Sequence, residues 1–463
     1  MFSRVSLAIL ALGLSGLAVL RADPPDPDVA GSLPEDYLPG LRPMIAAALK
    51  ESPEMIKDAL SIAIADAQKL YNGIGPMLPQ VQAQMQYGEN WSAVAANAAA
   101  STSNKGFYYD LHLTQPIFQW GQLKNQLTVQ KIQAAISRRQ YASAFEQFVQ
   151  TLRSQYLGLI TAKLEARNAG FLHDLARRSL AEVRSRIKAG TVNGGEIASA
   201  ELGEAQAALD EERAKASYAF ARREFARELG VRRIADEAVP TQVPAPRFSD
   251  AAAQTLLARL LRSGARYTPD AQTLLLNIRQ EDLSYQIAKV SQLPMLSIRL
   301  DVNQQNWTNA TTASVSQTAI TSENYYLQAQ WDIFDGFETR GRKEEALDRR
   351  RQLERQLRIT ADTLMDQAQN QERTVKFAWD QLAISERQYQ LAQESLRTAE
   401  GDLARGVGSD DAVDSSRAAS NAYELGLMNS RSRFLSSWCD FLSQVGADPI
   451  MNQLPARYVR LVK

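Results

Sequence analysis

Three carboxylates, Asp410, Asp411 and Asp414, stand in one short stretch after the turn Arg405-Gly406-Val407-Gly408. Asp411 and Asp414 are three residues apart and so share a helix face. Acids in a first helical turn favour its dipole. In a symmetric oligomer any one of them would be repeated into a ring of carboxylates, able to select cations and to resist closure through mutual repulsion. The rest of the reactive inventory is sparse. Two histidines, His112 and His173, and the single Cys439 leave too little for a His/Cys metal site. No nucleophile is clustered with a base, and no phosphate-binding glycine loop occurs. The expectation is a protein that is not an enzyme and takes no cofactor.

The elements that position these residues show in the hydrophobic period. Tyr109, Leu111 and Leu113 alternate with Asp110, His112 and Thr114, as in a strand with one dry and one wet face. Val81 to Tyr87 alternates as cleanly, with glutamines at 82, 84 and 86. The polar stretches Gly88 to Gly106 and Gln304 to Asn324 read as exposed loops. Past Phe118 the apolar spacing becomes three and four, and no proline appears until Pro240. Phe145, Phe148, Leu152, Tyr156 and Leu159 form a coiled-coil seam on a long rod.

The passage returns 216 residues later, where Tyr325 to Phe334 matches Tyr109 to Phe118. The same offset links Gly190 with Gly406, Ile197 with Val413, Phe225 with Phe441 and Gly230 with Gly446. A duplicated unit of strand hairpin and helical hairpin follows. Repeat 1 is placed at 44–234, with strands about 79–117 and helices 119–230. A Pro-rich linker spans 235–249. Repeat 2 is placed at 250–446, with a first helix from Asp250 to Ser291, strands about 294–334 and helices 336–446. A short tail covers 447–463. At the N-terminus, residues 1–22 read as a secretory signal peptide and 23–43 as an extended Pro-rich arm.

Charge is balanced, 52 basic against 52 acidic residues, which excludes a nucleic-acid footprint. Four strands per chain, each dry on one face and wet on the other, carry the signature of an outer-membrane barrel wall. Tyr87, Tyr109, Leu111, Leu113, Ile298, Leu300, Tyr325 and Trp331 are then lipid-facing or girdle residues, joined in the girdle by Trp91, Phe107 and Trp307. An ordinary half-buried sheet gives the same alternation. Four strands cannot close a barrel alone, so strands that enter a membrane require an oligomer.

These features together resemble the TolC-like outer membrane efflux proteins, the outer membrane factors. The most specific marks are Leu78-Pro79 and Leu293-Pro294 opening the strands, and Gln115-Pro116-Ile117-Phe118 with Trp331-Asp332-Ile333-Phe334 closing them. The resemblance implies an α+β membrane protein: a homotrimer with a twelve-stranded barrel in outer-membrane lipid and a coiled-coil helical barrel in the periplasm. It implies an exit duct for efflux or type I secretion, joined by a periplasmic adaptor to an inner-membrane transporter. The adaptor-contact tips carry over to Ala189, Gly190, Thr191, Arg405, Gly406 and Val407. The pore constriction carries over to the helix of Asp410, Asp411 and Asp414, although a gapless comparison places the family's aspartates nearer Ala412 and Ser415. The alternative is a periplasmic coiled-coil scaffold or adaptor without channel activity.

Overall fold

The computed structural model describes residues 33–93, 101–189, 194–264, 268–311 and 314–454, with strand side chains outside 90–105 and 305–319. The signal peptide and residues 23–32 lie outside the described residues. Helices α1 (Pro34–Tyr37), α2 (Leu41–Glu51) and α3 (Pro53–Gln68) lead into strands β1 (Gln80–Ala93) and β2 (Ser101–Phe118). Two long helices follow, α4 (Gln122–Lys188) and α5 (Gly194–Glu228). The plan then repeats with α6 (Asp250–Ser263), α7 (Pro269–Val290), β3 (Met295–Thr311), β4 (Ser314–Gln330), α8 (Glu338–Ala404) and α9 (Asp410–Gln444). Among the described residues no helix is long and apolar enough to cross a membrane.

Four details correct the sequence expectations. The strands run on into the polar stretches, β1 to Ala93 and β3 to Thr311, so much of the expected loop is ladder. Backbone pairing with the adjacent strand outweighs weak side-chain pattern there. The single first helix expected over 250–291 is two helices, because Gly264 adopts φ +73° and Pro269 restarts the chain behind the Thr268 cap. The end of the Pro-rich arm is helical, with Leu33, Leu38 and Leu41 buried. The tail beyond 447 starts in the core, where Asp448 is buried.

The chain compacts into two units that do not follow the repeat boundary. One takes Met1–Ser52, Phe145–Arg259 and Ala368–Lys463; the other takes Pro53–Ala144 and Leu260–Gln367. The second unit holds the sheet, antiparallel throughout in the order β1-β2-β3-β4. Pro116, which has no amide to donate, sits where the β2–β3 register shifts. Where each repeat passes from strand to helix, two successive residues have positive φ: Trp120 (50°) with Gly121 (83°), and Gly336 (65°) with Phe337 (70°). The turns are equivalent, but the glycine occupies the second slot in one and the first in the other. Each copy therefore keeps one strained aromatic.

The first unit is built on the α4 seam. Phe145, Phe148, Leu152, Tyr156 and Leu159 are all buried, as expected, and so are Phe434, Leu435, Trp438, Phe441 and Leu442 of α9. The linker after α5 is packed as well. Val239 and Val243 are buried, Arg431 Nη1 donates to the Val243 carbonyl (2.9 Å), and Phe248 lies among Trp379, Phe434 and Trp438 at 5.5–5.6 Å. Gly230 closes α5 at φ +74°, where an added Cβ would lie 2.4 Å from the Glu51 carbonyl oxygen.

A charge cluster ties both ends of the described chain to α4. Arg153, 1% exposed, reaches Glu35 of α1 through Nε (3.0 Å) and Nη2 (2.5 Å), and Asp448 through Nη1 (2.5 Å). Gln150 and the Ile450 amide complete the Asp448 carboxylate. Burial alone lowers the guanidinium's hold on its proton; the surrounding acidic groups outweigh burial and push its pKa up. Burial pushes the neighbouring Cys439 thiol up too, so it stays protonated. A second polar stitch joins α4 to α5: His173 Nδ1 lies 2.5 Å from Glu211 Oε2, and Nε2 lies 3.2 Å from Glu204 Oε1. Gly170 leaves the space for Glu211, and Lys215 pairs with that carboxylate at 2.5 Å.

Two measurements test these stitches. Arg153→Met leaves two buried carboxylates without a cation and lowers unfolding stability by about 3–5 kcal/mol, read from the denaturant midpoint of the detergent-extracted protein. Adding Glu35→Gln and Asp448→Asn recovers most of the loss; a change under about 1 kcal/mol for Arg153→Met alone contradicts the cluster's role. Hydrogen bonds donated by the imidazolium to the Glu211 and then the Glu204 carboxylate raise the His173 pKa above its ordinary 6.5. Its contribution is therefore full below that ordinary value and disappears as pH rises through the raised one. Wild type and His173→Gln should melt at converging temperatures at alkaline pH and separate, wild type higher, as pH falls toward ~6. An offset that is constant across pH removes His173 as the titrating group.

Candidate functional site

The sheet is the first candidate. Its register aligns Val81, Ala83, Met85 and Tyr87 with Leu113, Leu111, Tyr109 and Phe107, then Leu113 with Leu300 and Leu300 with Tyr325. The expected lipid-facing residues therefore share one face. Within the chain that face is uncovered: Tyr87 is 71% and Tyr325 72% exposed, and Val81, Met85, Ile298 and Leu327 are also exposed. Leu113 and Leu300, on the central strands, are half-buried by their neighbours. An ordinary half-buried sheet would have its apolar face against a core, so this exposure decides against it. Trp331 lies one residue beyond β4 and donates from Nε1 to the Gln292 carbonyl (2.9 Å), as Trp120 does to Pro294 (2.8 Å). The side chains of Trp91 and Trp307 lie outside the described residues.

The other face is wet and connected. Gln82, Gln84 and Gln86 align with His112, Asp110 and Tyr108, and His112 aligns with Asp301. His112 sits between two carboxylates, 2.7 Å from Asp110 and 2.5 Å from Asp301. Asp301 also accepts from Arg299 Nε (2.9 Å) and from the Tyr326 hydroxyl. Sequence reading placed His112 on the wet face but missed Asp301, Arg299 and Tyr326. Their one sequence signal is the matching wet phase of β3 and β4.

At the turns, Ala189 is the last described residue of the first tip, while Gly190 and Thr191 lie outside the described residues. The second tip is fully described. Gly406 has φ +77°, its amide donates to Leu403, and the Val407 amide donates to Asp402, a Schellman closure. Gly408 approaches Leu403 so closely that a Cβ would lie 2.7 Å from its nitrogen. Val407 is exposed at the apex, and Arg405 is held by Asp402 at 2.6 Å.

The three acids separate into two kinds. Ser409 caps α9 by accepting from the Ala412 amide, and Asp410 and Asp411 are exposed in the first turn. Asp414 is mostly covered and forms an ion pair with Arg178 of α4 at 2.8 Å. Glu424 pairs likewise with Arg167 at 2.6 Å. Asp411 and Asp414 are near in sequence, but only Asp410 and Asp411 present carboxylates to solvent. Among the described residues no group of His, Cys, Asp and Glu side chains is arranged to hold a metal ion.

The fold is shared with solved outer-membrane channels. The Campylobacter jejuni CmeC outer membrane channel superposes with TM-score 0.67 at 14% identity, covering 94% of this chain and 93% of that one. The Neisseria gonorrhoeae MtrE outer membrane channel in its open state gives 0.63 at 15% identity, over 88% and 89%. The Vibrio cholerae outer membrane protein VceC gives 0.62 at 13% identity, over 91% and 99%. No curated protein sequence matches. Residues 44–231, the first repeat, match the family model described as outer membrane efflux protein. The family match thus lies in the first repeat, while the fold of the solved channels runs through both.

Proposed function

We propose that three copies of this chain form an exit duct in the outer membrane, serving efflux or type I secretion with a periplasmic adaptor and an inner-membrane transporter. One observation carries the reading: a four-stranded sheet with an uncovered apolar face, a continuous polar face and two open edges. Lipid satisfies the apolar face and water the polar one. The open edges of β1 and β4 require strands from further copies, since unpaired backbone is not tolerated in hydrocarbon. Three copies supply twelve strands.

The helices then extend into the periplasm, and the signal peptide 1–22 is removed on export. The tips Ala189-Gly190-Thr191 and Arg405-Gly406-Val407 are the adaptor contacts. Val407 offers an apolar side chain on a rigid turn. Symmetry multiplies Asp410 and Asp411 into a ring of open carboxylates, which favours cations at the constriction. Asp414 plays a different part, because Arg178 already matches its charge.

Single-channel recording of the detergent-extracted protein in planar bilayers tests this. Steady cation-selective openings are expected. Asp410→Ala or Asp411→Ala should lower the cation-to-anion permeability ratio about two-fold or more. Asp414→Ala should alter opening frequency, with a smaller effect on selectivity. A well-extracted trimer that conducts nothing, variants included, sinks the duct and leaves a periplasmic scaffold.

A further inference from the structure

Among the described side chains, the charged groups on the wet face of the sheet are Asp110 and His112 of β2 with Arg299 and Asp301 of β3. The outer strands add no fixed charge around them. β1 aligns Gln82 and Gln84 with His112 and Asp110, and β4 aligns Asn324 and Tyr326 with Asp301 and Arg299. Of these four only Tyr326 titrates, and a phenol ordinarily ionises near pH ~10.

The two acids are not equivalent. Asp301, with its side chain 10% exposed, accepts from Arg299 Nε and from the Tyr326 hydroxyl and also faces His112 Nδ1. Asp110, 35% exposed, meets His112 Nε2 through Oδ2 at 2.7 Å. Its Oδ1 is enclosed without a hydrogen-bond donor. Arg299 is thus hydrogen-bonded to Asp301, and His112 is the group that answers Asp110.

That answer depends on one proton. A neutral imidazole donates through one nitrogen and carries a lone pair on the other. His112 has a carboxylate oxygen at both, 2.5 Å from Nδ1 and 2.7 Å from Nε2, which is the arrangement of an imidazolium. With that proton in place, two acids face two cations and the wall is neutral. Without it, one nitrogen turns a lone pair on a carboxylate and a net negative charge remains. Asp301 still has Arg299 and Tyr326. Asp110 has lost its donor. His112 is 29% exposed, so its proton exchanges with the water on this face.

We propose that His112 is a proton-operated charge switch on the barrel wall: the imidazolium cancels Asp110, and the neutral ring releases it as a free carboxylate. The inference rests on the duct proposed above, in which further copies repeat Asp110 into a ring. Asp410 and Asp411 supply the standing cation preference. The Asp110 ring adds to it once the His112 proton has left. Histidine is the side chain whose ordinary charge change lies between about pH 5 and 8. The added preference therefore appears as pH rises through that range, while ordinary carboxylates and the guanidinium stay charged.

Reversal potentials in planar bilayers test this at about 0.1 M salt, where a charge acts over about 10 Å. For the detergent-extracted wild type, the cation-to-anion permeability ratio should rise about two-fold between pH ~5.5 and ~8.5. His112→Gln should hold the higher ratio at both pH values, and Asp110→Asn the lower one. Both replacements keep the approximate size of the side chain, and either alone decides. His173→Gln removes the chain's other histidine, which lies on α4, and should keep the rise. A conducting wild type whose ratio does not change with pH overturns the switch and leaves the duct standing. So does a rise that persists in His112→Gln or Asp110→Asn, or one that is lost in His173→Gln. An intact trimer that conducts nothing, variants included, removes the duct and the switch with it.

Discussion

A strand in hydrocarbon must pair every backbone amide and carbonyl, because lipid supplies no partner for them. In one copy of this chain the inner strands β2 and β3 meet that demand on both sides over Tyr108–Phe118 and Leu296–Gln305, and β1 and β4 meet it on one side only. Everything distinctive about the chain follows from the two open edges. A sheet with one face for lipid, one for water and two sticky sides has no folded state in a membrane as a monomer. The cost of each unpaired group is far larger than the fractions of a kcal/mol that propensity contributes. In the proposed duct, association is thus part of folding.

Duplication meets this demand by using one contact twice. The β2–β3 ladder joins the repeats inside the chain, and in the proposed oligomer β4 against β1 of another copy would be the same contact moved by one repeat.

How much of this could be read from the sequence depends on range. The strand faces were legible because alternation is local, and Tyr87, Leu113 and Tyr325 fell on one side as their phases required. The α4 seam was legible for the same reason. Three things were hidden. Arg153 looks like one more surface cation in a charged helix; only the packing of Glu35 and Asp448, far away in the chain, makes it the centre of a buried cluster. His112 could be placed on a face, but Asp301 is 189 positions distant and their meeting depends on register. The paired turns at Trp120-Gly121 and Gly336-Phe337 were masked because the glycine moved by one slot, although the backbone did not.

Charge on the two candidate surfaces is managed in opposite ways, and that bears on where the duct discriminates. On the wet face of the sheet, Asp301 is matched by Arg299 and flanked by His112 and Tyr326, while Asp110 faces the same imidazole. The acids there are held in a hydrogen-bonded network, which fixes the wall. At the start of α9 one acid, Asp414, is cancelled in the same manner by Arg178. Asp410 and Asp411 are exposed, in a helical turn whose dipole already favours negative charge. A field that survives to act on a solute needs carboxylates without counter-charges, repeated closely around an axis. In the proposed duct, these grounds assign the standing selectivity to the first turn of α9 and give the strand network the part of keeping a polar wall rigid.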